Sequence, residues 1–196
     1  MEPVARMDVD EMGMGKRPAT YADLEALPPN MVGEIIAGEL YASPRPAVPH
    51  AVAASRLGGE LIGPFDRGRG GPGGWIILYE PELHLGGDVL VPDFAGWRRE
   101  RLPKPPRAAA MTLAPDWLCE ILSPSTEARD RSTKLSAYLR EGVRNVWLVD
   151  PDVRTLEVFR LEGAHYTLLA THVGDARIRV EPFEALELEL NALWGE

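Results

Sequence analysis

Residues 117–126 read WLCEILSPST, and the fold turns on how this run is placed. Trp117, Leu118, Cys119, Ile121 and Leu122 make a short, mostly buried strand, with one carboxylate, Glu120, at its centre. A charge in that position is costly unless it is paired, protonated or bound to a metal. Cys119 alternates with Glu120 along the strand and suits a small core residue better than a nucleophile.

Upstream lies WIILYEPELHLGGDVLVPDFAGW, residues 75–97, which has the pattern of a hairpin turning on Gly86-Gly87. In that register Asp93 stands across from Glu80, and Glu82 lies two positions along on the same face. Asp93, Glu80, Glu82 and His84 then share a surface, whereas a slip of one residue would send one set to the opposite side. Carboxylates this close repel by a few kcal/mol at an effective dielectric of about 20. Such clusters persist mainly where a divalent cation neutralises them, and hard oxygens suit Mg²⁺ or Mn²⁺. Glu120, on a neighbouring strand, adds another oxygen.

Downstream, a helix is expected from about Arg129 to Glu141, with Gly142 placed where a helix C-terminus wants it. Lys134 and Tyr138 lie four apart on one face, beside the apolar stripe of Leu135 and Leu139 that docks the helix on the sheet. Lys134 is therefore expected at the exposed edge of the docked face, leaning toward the carboxylates.

The rest of the chain alternates strands with few helices. Thr20-x-x-Asp23 opens a short helix, and VGEIIAGELYAS (32–43) gives two strands around Ala37-Gly38. Val48, Val52, Leu57 and Leu61 mark a helix to about Ile62. The loop GPFDRGRGGPGG (63–74) lacks the G-K-[ST] ending of a phosphate-binding loop. NVWLVDP, TLEVFRL and YTLLATHV give three further strands, and LNALW a closing helical turn. The order indicates an α/β (α+β) fold with a mixed sheet. Residues 1–18 are expected to be a flexible tail, and 19–196 a single domain.

The 196 residues carry a net charge of −9, which argues against a protein that coats nucleic acid non-specifically. One cysteine excludes an internal disulfide framework and suits the cytoplasm. No apolar run approaches the ~20 residues of a membrane span, and the start shows no secretory core. Of 21 basic residues only Lys16, Lys104 and Lys134 are lysine, and Lys134 alone falls within regular structure.

VPDFA (91–95), EILSPST (120–126), DRSTKLSAYLREGVRNVWLVDP (130–151) and GEIIAGELYASPRPAVPH (33–50) together resemble the bacterial Uma-two family of restriction-endonuclease-like proteins. That family belongs to the PD-(D/E)-x-K nuclease superfold, and the resemblance runs from about Tyr21 to about Leu169. It implies a restriction-endonuclease-like core, a central mixed β-sheet flanked by helices. It places the proline–aspartate pair at Pro92-Asp93 and the second acid at Glu120. Leu122 stands where the superfold usually has lysine; the family similarly supplies that lysine from the following helix, which maps onto Lys134, and Tyr138 matches the same helix pattern. Glu34, His50 and Glu82 also fall where the family carries similar residues.

The resemblance implies a Mg²⁺-dependent (or Mn²⁺-dependent) endonuclease acting on DNA, with Asp93, Glu120 and Lys134 catalytic and Asp93, Glu120 and Glu82 around the metal. A homodimer is expected by resemblance, and because two single sites are needed to cut both strands at once. Arg98, Arg99, Arg101, Lys104 and Arg107 lie in the loop between the two acids and are expected to flank the cleft and contact phosphates. A non-catalytic accessory protein of the same fold, or a hydrolase of a small phosphoester, are the alternatives.

Overall fold

The computed structural model describes residues 17–195, and nearly all of the expected tail, residues 1–16, lies outside them. The described chain starts with Arg17 paired to Asp23 at 2.7 Å. A capping box between Thr20 and Asp23 starts helix α1 (Tyr21–Glu25). Strands β1 (Met31–Ile36) and β2 (Glu39–Pro44) form a hairpin whose turn residues, Ala37 and Gly38, both have positive φ, at 52° and 79°. Ala37 tolerates that conformation because its N–H donates to Asp88 Oδ1 at 2.8 Å.

Helix α2 (Val48–Leu61) has proline in its first turn and runs on into a π-helical turn, Ile62–Asp66. Then come β3 (Trp75–Tyr79), β4 (Leu83–Leu85), β5 (Asp88–Leu90), β6 (Phe94–Arg98) and β7 (Trp117–Ile121). The helix expected near 129–141 is built from α3 (Glu127–Arg129), a π-helical turn (Asp130–Lys134) and α4 (Leu135–Arg140). Gly142 ends it at φ 73°. The chain closes with β8 (Asn145–Asp150), β9 (Thr155–Glu162), β10 (His165–Val173), β11 (Arg177–Ile178), β12 (Leu188–Glu189) and α5 (Leu190–Leu193).

The central sheet is mixed, six strands in the order β10-β9-β8-β7-β6-β3. Only β7 and β8 are parallel, which is why the helical segment 127–140 must cross over between them. A second sheet, β2-β1-β5-β4, stands beside it. The expected hairpin is shared between these sheets. Tyr79 faces Phe94 in the first and Leu83 faces Leu90 in the second, so one register persists throughout. The ribbon bends between them, where Glu80 takes φ 44° and donates its N–H to the Asp93 carbonyl. Pro81 and Pro92 fall opposite each other at the bend, and neither can donate to a ladder.

Side chains of β7 alternate between two cores. Trp117, Cys119 and Ile121 pack with α2 and an aromatic cluster; Leu118 and Leu122 pack with Trp97, Ala137 and Tyr138 beneath the second sheet. Phe183 centres the aromatic cluster, with ring centroids 4.6 Å from Phe65, 4.9 Å from both Trp75 and Trp117, and 5.5 Å from Trp147. Removing a ring held on four sides leaves a cavity its stiff neighbours cannot fill. Phe183→Ala is therefore expected to lower stability by about 3–5 kcal/mol in denaturant unfolding; a loss under ~1 kcal/mol would mean that the cluster collapses freely.

Candidate active site

β6 and β7 run antiparallel with Phe94 facing Cys119, and one step further along this register Asp93 faces Glu120. Asp93 Oδ2 accepts the Ile121 N–H at 2.6 Å, in place of a ladder bond. Its Oδ1 lies 3.0 Å from His50 Nε2, delivered by the first turn of α2. His50 Nδ1 is buried and finds no partner among the described residues.

Glu120 is 3% exposed, and its Oε1 accepts from Lys134 Nζ at 2.8 Å and from the Tyr138 hydroxyl. Lys134, also 3% exposed, lies 3.0 Å from Glu34 Oε1, with Asp130 Oδ1 at 3.7 Å and the Val91 carbonyl at 3.5 Å. Glu34 in turn accepts the Val91 N–H at 2.8 Å and lies 3.7 Å from Arg129. The ammonium is thus enclosed, and the expectation of an exposed edge position is wrong. The cause is the π-helical turn, which carries Asp130 and Lys134 inward together.

Burial pushes the Glu120 carboxyl well above the usual range; Lys134 pulls it back, and Asp130, Asp93 and Glu34 add to the rise. Burial opposes the charge on Lys134, but Glu120, Glu34 and Asp130 outweigh it, so the ammonium stays protonated. Burial and then Glu120 push Tyr138 up, which keeps its hydroxyl a neutral donor. For His50, burial opposes protonation, and the hydrogen bond and charge of Asp93 reverse that, raising its pKa. Burial likewise raises the Cys119 thiol, so it is inert packing.

Glu34, His50, Asp93, Glu120, Asp130 and Lys134 line a cavity of about 300 Å³. Five carboxylates face it (Glu34, Glu80, Asp93, Glu120 and Asp130) against Arg45, Arg129 and Lys134, an excess of negative charge that a divalent cation would balance. Among the described residues no group of three or more His, Cys, Asp or Glu is spaced to hold a metal ion. Asp93 and Glu120 alone would leave an ion of the Mg²⁺ kind most of its shell to waters and substrate oxygens.

The structure thus brings together Asp93, Glu120, Lys134, Glu34, His50 and Tyr138. Glu82 is not among them. It follows the bend after Glu80, bonds Tyr21 at 3.0 Å and His84 at 2.7 Å, and lines a separate hollow near Pro28. The 98–107 loop does not flank the cavity either. Asp93 precedes β6 and Glu120 lies near the end of β7, so an antiparallel pair must send their connection to the far end of the sheet. There Arg98 stacks on Trp75, Arg99 pairs with Asp66, and Arg101 pairs with Asp116 at 2.9 Å; Lys104 and Arg107 lie further along the same loop. Asp130 and Arg129 are additions that sequence reasoning missed. Asp130 had a signal, its four-residue spacing from Lys134.

Removing one partner from a buried charge cluster leaves the others uncompensated. Lys134→Met is expected to lower stability by about 3–5 kcal/mol at pH 8. Without the ammonium, Glu120 binds its proton still more tightly folded than unfolded. Stability from such a carboxyl is present at low pH and is lost as pH rises from about 4.3 through the raised folded-state value. The deficit against the parent protein should therefore narrow at pH 5 in urea titrations, and a pH-independent deficit would contradict the raised folded-state value of Glu120.

The family model described as "Putative restriction endonuclease" (Uma2) matches residues 18–192. Among solved structures, the chain is similar to one from Anabaena variabilis, described as a "putative nuclease belonging to DUF820", at 25% identity and a TM-score of 0.73. The match covers 91% of this chain and 98% of that one. No curated protein gives a significant sequence match. Both the extent of the family match and the shared fold lead to one statement: the chain belongs to the Uma2 family of restriction-endonuclease-like proteins.

Proposed function

We propose that this chain is a divalent-metal-dependent endonuclease that hydrolyses DNA phosphodiester bonds. One observation carries the reading. Asp93 and Glu120 face each other from antiparallel strands in one cavity, and Glu120 is paired there with a buried Lys134. Family membership supports a nuclease, and hard paired carboxylates support Mg²⁺ or Mn²⁺ as the ion.

Asp93 and Glu120 would hold the ion, with water and a phosphate oxygen completing its shell. Such an ion, when bound, lowers the pKa of a water and polarises the phosphate. His50 and the Ile121 N–H fix the two oxygens of Asp93. Tyr138 fixes the rotamer of Glu120. Lys134 has its donors turned to Glu120, Glu34, Asp130 and Val91, so its role is to draw the Glu120 carboxyl back toward its ionised form and to place a positive charge behind the reacting phosphate. Two copies of the chain are proposed to act together, since one such site cuts one strand.

Supercoiled plasmid incubated with the protein should be nicked and linearised with Mg²⁺ or Mn²⁺ and left intact with EDTA. Asp93→Asn and Glu120→Gln should each cut the rate by roughly a hundredfold or more, and calorimetry should show weakened Mg²⁺ binding in both. Wild-type cleavage by either variant would sink the assignment. Turnover of small phosphoesters without cleavage of DNA would point to the phosphoester hydrolase instead. Light scattering is expected to give a dimer at micromolar concentration, and a monomer there would remove the paired-site proposal alone.

A further inference from the structure

The two ends of α2 face different hollows. Its first turn delivers His50 to the acidic cavity, while its later turns and the π-helical turn wall a second hollow of about 500 Å³. The two adjoin at Tyr79, which lines the second while its hydroxyl lies within electrostatic reach of Glu80, Asp93 and Arg45 of the first.

The wall along α2 is bare. Where a Cβ would stand on Gly59 or Gly63 there is open space, so a flat group can approach the helix backbone. Tyr79 stands at the junction, 50% exposed, its ring packed edge-on against Phe94 at 5.3 Å. An aromatic ring so fixed and half open presents a stacking face.

Charge suits the same channel. Arg99, Arg101, Arg131, Arg140 and Arg160 are all neutralised by carboxylates. Among the described residues, Arg67 and Arg69, which line the second hollow, and Arg45, which lines the first, have no carboxylate partner. Arg56, Arg98, Arg107, Arg144 and Arg179 likewise form no ion pair with a carboxylate, but Arg45, Arg67 and Arg69 line these two hollows and offer open donors to an anion entering them.

We propose that this channel takes an unpaired DNA strand, one base stacking on Tyr79 and the flanking phosphates meeting Arg67, Arg69 and Arg45, so that the next phosphate enters the acidic cavity. The proposal rests on the nuclease reading and adds the form of its substrate. Guanidinium forks suit phosphate oxygens, and base stacking on an aromatic ring is tolerant of sequence. A duplex keeps its base faces inside the stack and offers Tyr79 nothing until a nucleotide leaves the helix.

Fluorescence anisotropy in EDTA, with a labelled single-stranded DNA oligonucleotide and its duplex, reads binding without turnover. The single strand should bind more tightly than the duplex. Tyr79→Leu should weaken single-strand binding roughly tenfold at an unchanged thermal midpoint, and Tyr79→Phe should restore it. Arg67→Gln with Arg69→Gln should flatten the slope of log K against log salt by about 1.4, two phosphates at ~0.7 each. A single strand that does not bind, a duplex that binds better, or Tyr79→Leu binding like the parent protein would each overturn the proposal. If Tyr79→Leu binds normally and plasmid cleavage persists, the channel assignment falls and the nuclease reading stands. Tyr79-dependent binding with no cleavage under any metal would have the opposite meaning.

Discussion

The ammonium of Lys134, enclosed by Glu120, Glu34 and Asp130, ties together parts of the chain that are distant in sequence: β1, β7 and the π-helical turn. A buried ion cluster of this kind seldom adds net stability, because desolvation offsets the Coulombic gain unless every donor and acceptor is met. Here most are met: the Val91 N–H and the Tyr138 hydroxyl supply Glu34 and Glu120 with further donors. A well-packed apolar set would hold these elements together as well. What an apolar set would not do is pair a buried cation with a carboxyl beside Asp93 inside a folded core.

Regular secondary structure alone would not assemble the site. On an unbroken hairpin Glu82 would share the surface of Glu80, and the second sheet would have no strands to pair with β1. The bend at Glu80-Pro81 and Pro92 leaves Asp93 at the rim of the six-stranded sheet, open to His50 on one side and Glu120 on the other. The π-helical turn does the equivalent work across the cavity by bringing Asp130 and Lys134 inward. Left-handed backbone at a non-glycine residue and π-helical turns are both uncommon and both cluster at functional sites. Each acts here to aim one or two side chains.

Much of this was legible in the sequence, for definite reasons. Alternation along Trp117–Leu122 and the register from Gly86-Gly87 place Glu120 and Asp93 correctly because side-chain direction in strands follows a strict period of two. The helix bearing Lys134 and Tyr138 was legible from its spacing, but its π-helical turn was not, since no composition signal marks it, and the exposure expected for Lys134 was wrong. Glu82 failed for a readable reason: Pro81 and Pro92 announce a break that the hairpin argument carried straight through. The arginines at 98–107 failed on topology, because the connection of an antiparallel pair cannot lie at the end where the two acids meet.

The same topology bears on how an acidic protein could present the proposed phosphate-binding surface. At physiological salt a charge is felt over about 8 Å, so the net −9 spread over the molecule matters less to an approaching strand than what lies within a side chain's reach. Carboxylates that neutralise Arg99, Arg101 and Arg140 remove those cations from consideration. The five carboxylates of the cavity would repel a phosphate unless a divalent ion is present, whereas Arg45, Arg67 and Arg69 attract one in either case. In the proposed reading, binding along α2 and admission to the cavity are therefore separable by charge, and a divalent ion would govern only the second.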